Sequence, residues 1–190
     1  TSLKATFAQL DPSAVTYEDV IGSYNVKTKQ RTGMELIDRV YPRLGLVPSL
    51  LLAPGWSHKP AVALALVAKA QSIFSLFTAK VVVDLDTAEG KADSMEEIRE
   101  YKDHNAYSDR NMIVAWPMVA VGDYKYYYSA QLAAHLERLS SDNGGVPSKS
   151  PSNKDIKITG LYTADGKEIT LDMDEANDYA NACGVVTAIN

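Results

Sequence analysis

Two short β-rich apolar runs, Ser49 to Ala53 and Lys80 to Leu85, flank a stretch with helical spacing, and this order of strand, helix and strand is what most narrows the fold. The first run is bounded by Pro48 and Pro54 and the second by acidic residues, so each has strand length and stops sharply. Both read as central strands buried on two faces. Between them Ser57 is placed to cap a helix and Pro60 to sit in its first turn, with Val62, Leu66, Ala70, Ile73 and Phe77 on one face. Only Lys69 and Gln71 are polar in its middle, which marks a well-buried helix.

The alternation continues along the chain. Ser94 and Glu97 have capping-box spacing and open a polar surface helix running through Ile98 and Tyr101 towards Asp103. Asn111 to Trp116 reads as another strand. Met118 to Val121, the turn Gly122-Asp123 and the run Tyr124 to Tyr128 read as a hairpin. A helix with Leu132, Leu136 and Leu139 inward follows and stops near Gly144-Gly145, and Ser140 to Lys154 has the composition of an extended loop. Asp165-Gly166 predicts a second hairpin, joining Ile156 to Tyr162 with Glu168 to Leu171. Asp172 and Glu175 open a short helix that Gly184 closes, and Val185 to Ile189 reads as a last strand before Asn190. The expected class is α/β, a layered sheet with helices packed on its faces plus hairpins. No internal repeat or composition break divides it, so residues 21–190 read as a single domain behind a lead-in over 1–20.

Composition removes several function classes. With 46% hydrophobic residues in 190, the chain can bury a core without metals or disulfides. Its 24 acidic residues outweigh 19 basic ones, a formal charge of -5 that offers polyanions no general attraction and argues against nucleic acid as a ligand. Cys183 is the single cysteine, set among Ala182, Gly184 and Val185, so it reads as a small buried hydrophobe in a reducing interior rather than half of a disulfide. The longest apolar run, Ala61 to Ala68, is far short of the roughly 20 residues that span a bilayer, so no membrane insertion is expected. Thr1 to Leu10 resembles neither a signal peptide nor a natural start, which suggests a trimmed fragment.

The strongest enzymatic candidate is the pair Asp84 and Asp86, delivered at the C-terminal end of an apolar strand, where α/β sheets place ligands. A phosphatase of the haloacid-dehalogenase type uses such an Asp-x-Asp with magnesium, one carboxylate as nucleophile and the next as acid/base. Thr or Val usually follows two positions later, and here that position is Ala88. An Asp-x-Asp is also a common exit from a strand into a turn or cap, and that reading outweighs the catalytic one. His58, His104 and His135 offer bases for a hydrolase triad, but none sits in a motif, and Gly55-Trp56-Ser57-His58 lacks the second glycine of a nucleophile elbow. No histidine pair has zinc-ligand spacing, and Gly144-Gly145 lacks the lysine and further glycine of a phosphate loop. Tyr124, Tyr126, Tyr127 and Tyr128 could stack a carbohydrate or single-stranded nucleic acid. Tyrosines are also good strand residues, and without neighbouring arginines a packing or interface role weighs more. No catalytic, cofactor-binding or metal-binding residue is assigned, and no cofactor is expected.

An ordered series of segments resembles the tail sheath proteins of contractile phages, prophages and related injection machines. Gly22-Ser23-Tyr24-Asn25 with Thr28 to Leu36 looks like a lead into a helix, and Tyr41-Pro42-Arg43-Leu44-Gly45-Leu46-Val47-Pro48 like its continuation. Leu51-Leu52-Ala53-Pro54-Gly55-Trp56-Ser57 resembles the most recognisable block, a strand breaking at Ala-Pro-Gly before a buried helix. Val83-Asp84-Leu85-Asp86, Trp116-Pro117 and Ser150-Pro151-Ser152-Asn153 are similar to later landmarks in the same order. The series runs from about Val20 to Asn190. The resemblance implies the core sometimes labelled subtilisin-like, with no proteolysis and no enzyme activity. It implies a structural subunit of the virion tail, made in the host cytoplasm, that stacks in six-fold rings around a tail tube protein and drives injection by contraction. Relatives of that kind link neighbours by terminal arms that add strands to an adjacent sheet. This chain shows no such arms, so on its own it is expected to be monomeric.

Overall fold

A computed structural model describes residues 9 and 11–189; residues 1–8, 10 and 190 lie outside it, and with them half of the expected lead-in and the final Asn190. A short helix, α1 (Tyr17–Ile21), runs across the expected boundary between lead-in and core, and it is closed at its start by a reciprocal capping box between Thr16 and Asp19. A 3₁₀ helix (Gly33–Arg39) then runs directly into α2 (Val40–Leu44), which ends on Gly45 in the left-handed conformation.

The first sheet is parallel. Strands β1 (Leu50–Leu52), β2 (Lys80–Asp84) and β3 (Met112–Ala115) lie in the order β1-β2-β3, with Leu51 opposite Val81 and Val83 opposite Val114. Helix α3 (Pro60–Gln71) connects β1 to β2, and α4 (Met95–His104) connects β2 to β3, as parallel strands require a crossover. In β2 the residues Val81, Val82 and Val83 are fully buried, as a strand covered on both faces should be. β1 departs from expectation: among the described residues it pairs only with β2, at the edge of the sheet, and Leu50 and Leu52 are half-buried.

The second sheet is antiparallel, in the order β5-β4-β6-β7, built from β4 (Met118–Val121), β5 (Tyr124–Tyr126), β6 (Gly160–Tyr162) and β7 (Glu168–Ile169). Both expected hairpins are present, with Val121 opposite Tyr124 in one and Tyr162 opposite Glu168 in the other. Helix α5 (Tyr128–Ser141) follows β5 and packs on the first sheet, while α6 (Met173–Cys183) packs against α4. The capping box of α6 is complete: Glu175 N donates to Asp172 Oδ1 at 2.8 Å and Asp172 N to Glu175 Oε2 at 2.9 Å. Gly184 closes α6 with φ 62°, and Lys102 Nζ donates to the carbonyls of Cys183 and Gly184.

Trp116 sits where the two sheets meet, between β3 and β4. It is fully buried, donates from Nε1 to Ala92 O at 2.8 Å and stacks on Tyr179 of α6 with ring centroids 4.5 Å apart. The expected last strand is reduced to one bridge: Val186 pairs with Ala115, its N–H donating to Val114 O at 2.7 Å. Two helix assignments also shift. The helix expected to carry Ile73 and Phe77 ends at Gln71, and those residues instead close a tight loop by bonding to each other's backbone. Its N-cap is Lys59, without a side-chain bond, because Ser57 lies a turn earlier and its hydroxyl is drawn to a stronger acceptor, a buried carboxylate.

Candidate functional site

That carboxylate belongs to Asp84, the last residue of β2, and it is almost fully buried. Its Oδ2 accepts from Ser57 Oγ at 2.8 Å and from Ser129 Oγ at 2.5 Å, and its Oδ1 accepts from Ser129 N at 2.7 Å. The Asp84 N–H completes the circuit by donating to Ser57 Oγ at 3.1 Å. Ser57 and Ser129 are themselves fully buried.

The arrangement follows from what each element lacks. Helix α5 starts at Tyr128 after Tyr127, whose side chain makes no cap bond, so its first N–H groups need an acceptor from elsewhere. Ser129 is the second residue of that helix, and the carboxylate from the end of β2 reaches its N–H. Asp84 thus caps α5 from another element, facing the positive end of its dipole. Through Ser57 it also holds the turn that leads out of β1 towards α3. Burial pushes the Asp84 carboxyl above its usual range, with the three donated bonds pulling the other way and burial the larger effect.

Asp86 does not share this environment. It is partly exposed, its Oδ1 accepts from Ala88 N at 3.2 Å, and it lines a cleft of about 520 Å³ with Lys91, Glu97, Glu100, Tyr101 and His104. A phosphatase of the Asp-x-Asp type needs both carboxylates turned to one substrate; here one is enclosed in a structural network and the other faces a separate cleft. Among the described residues, no group of three or more His, Cys, Asp or Glu side chains is placed to hold a metal ion. The phosphatase reading is therefore not favoured by the geometry.

The three histidines form no shared site, although His58 lies close enough to Asp86 and Asp84 for both charges to act on it. His58 stacks on Tyr127 with ring centroids 4.9 Å apart, its backbone carbonyl accepts from Tyr101 at 3.3 Å, and burial lowers its pKa. His135 lies buried in α5 with Nδ1 3.1 Å from Arg138 Nη2, and His104 ends α4 at the cleft. Ser57 turns its hydroxyl to Asp84, so neither it nor Ser129 meets a histidine that could activate it as a nucleophile.

The tyrosine group also divides. Tyr124 and Tyr126 are exposed on β5, Tyr127 is the residue before α5, and Tyr128 is buried inside that helix, where burial raises its pKa to about 12. A four-ring platform does not form, because the strand gives way to a helix at its third tyrosine.

Sequence reading singled out Asp84 and Ser57 but assigned them separate tasks, and it missed Ser129. The available signal was a serine within the first turn of a predicted helix, which is common and points to no particular partner.

The fold and site thus define a small α/β domain whose most buried ionisable group is spent on holding its own elements together. No protein-family model matches the chain. The chain is 30% identical over 146 residues to the tail sheath protein of Burkholderia phage BcepMu, an alignment that takes in 77% of this chain. It spans 29% of the length of that phage protein. Among the described residues no helix is long and apolar enough to cross a membrane.

Proposed function

We propose that this chain is the core of a tail sheath subunit, a structural protein that works by assembling with copies of itself and has no enzymatic activity. The observation that carries the reading is the similarity to a phage tail sheath protein along 77% of the chain. The enclosure of Asp84 supports it, since the strand-end carboxylate that an Asp-x-Asp phosphatase would use is committed to bonds within the fold. In this reading residues 21–190 form the core, the subtilisin-like domain of such subunits, behind a lead-in over 1–20. Subunits stack as six-fold rings around a tail tube protein in the virion tail, after synthesis in the host cytoplasm. Contraction would then be a change between two sets of subunit contacts, the extended set trapped and the contracted set lower in free energy.

Negative-stain electron microscopy of a full-length sheath protein carrying this core is the test. Tubes or stacked rings with six-fold symmetry are expected, with the chain alone forming none. A full-length protein that remains a small particle under assembly conditions would overturn the reading, as would magnesium-dependent phosphatase activity lost on Asp84→Asn.

A further inference from the structure

Asn143 is the only asparagine in the chain that a glycine follows, and the pair Asn143-Gly144 lies in the turn where α5 ends. Backbone bonds close that turn: Asn143 N and Gly145 N donate to Ser140 O at 3.1 Å and 2.8 Å, and Gly144 N donates to Ser141 O at 3.1 Å. Both glycines take positive φ, 69° at Gly144 and 82° at Gly145, and a Cβ added at either would meet nothing within 4 Å. The turn is therefore open to solvent on its glycine side. The Asn143 side chain folds back onto the turn, where Nδ2 donates to Val146 O at 2.8 Å and to Ser148 Oγ at 3.0 Å.

The atoms of this pair are suited to react with one another. An asparagine amide carbon can come within reach of the next residue's backbone nitrogen and close a succinimide ring, and a glycine places no side chain in the way and tolerates the backbone change. The other described asparagines precede Val26, Ala106, Met112, Lys154, Asp178 and Ala182, whose side chains obstruct that approach. Asn177 and Asn181 are also fixed within α6. Water has access to Gly144 and Gly145, both exposed.

We propose that Asn143 is a site of self-modification. The Gly144 nitrogen gives up its proton and bonds to Asn143 Cγ, the Cγ–Nδ2 bond breaks, and ammonia leaves. Water then opens the succinimide at one carbonyl or the other, giving aspartate or isoaspartate with no change in oxidation state. The fold holds the reaction back: Gly144 N is committed to Ser141 O and the amide to Val146 and Ser148, so the turn must open before the ring can close. The product loosens what the asparagine held. A carboxylate cannot donate to Val146 O, and its charge falls at the negative end of the α5 dipole beside Asp142. Isoaspartate also lengthens the main chain inside the bonds that close the helix.

The test incubates the folded 190-residue chain in mildly alkaline buffer beside a synthetic peptide running from Leu139 to Lys149, with tryptic mapping and isoaspartyl methyltransferase labelling as readouts. The segment is expected to gain about 1 Da and to split into aspartate and isoaspartate forms, several times more slowly in the folded chain than in the peptide. Both rates should rise with pH, because the attacking nitrogen must lose its proton. Ser148→Ala, which removes one of the bonds on the amide, should speed conversion in the folded chain and leave that of the matching peptide unchanged. Converted chain, separated by ion exchange, should unfold a few degrees below the unconverted chain. A folded chain still unmodified at Asn143 when the peptide has converted fully overturns the proposal, as does modification that falls mainly on another asparagine. Equal rates in chain and peptide overturn the control by the turn.

Discussion

Replacing Asp84 separates a structural carboxylate from a catalytic one, because the two roles predict opposite effects on stability. Asp84→Ala leaves Ser129 N, Ser129 Oγ and Ser57 Oγ buried around a void, with no acceptor for the helix N–H. A buried polar group left without its partner costs about 1–3 kcal/mol, and the two hydroxyls can rotate to satisfy one another in part, so the loss is about 3–5 kcal/mol. Asp84→Asn behaves differently. Its amide oxygen can still accept from Ser129 N, and what is lost in charge-assisted bonding and helix-dipole attraction is offset by no longer burying a charge, so about 1 kcal/mol is expected. Urea denaturation read by circular dichroism measures both, and for a chain of this size the alanine variant should melt roughly 10 °C lower. A catalytic aspartate would show the reverse pattern, with stability nearly unchanged or raised in both variants. An alanine variant within about 0.5 kcal/mol of wild type would refute the clamp.

Two further outcomes follow from the same geometry. Because burial raises the folded-state pKa of Asp84, its contribution is fully present below the unfolded value of about 3.9 and is lost as pH rises through the folded value; the stability of wild type relative to Asp84→Asn should therefore be greatest in acid and decline towards neutral pH, and an advantage that grows with pH would contradict the shift. Gly184→Ala should cost about 1 kcal/mol or more in a denaturation curve, since the residue sits at φ 62° and an added Cβ would come 3.1 Å from Lys102 Nζ, and an unchanged midpoint would argue against the left-handed cap.

What the sequence disclosed depended on how local the cause was. The Asp172 and Glu175 capping box, the Gly184 stop and both hairpin turns were legible because each is decided by residues a few positions apart. The partners of Ser57 were not, since its hydroxyl meets Asp84, 27 positions away, and Ser129 reaches the same carboxylate from 45 positions away. Edge status is likewise a property of the assembled sheet: nothing in Leu50 to Leu52 says that one side will find no neighbour. The run through Ile73 and Phe77 kept helical spacing past the end of the helix, and only the folded loop reveals that Phe77 packs on Tyr41 instead.

Trp116 has a mechanical consequence. Only Trp116 and Pro117 separate the strand that ends the parallel sheet from the one that begins the antiparallel sheet, and the indole is bonded to the approach to α4 on one side and stacked on α6 on the other. Such a junction has no slack in which to hinge. A force applied to one sheet would be passed to the other through this packed joint, so the two sheets would tend to move together as one stiff body.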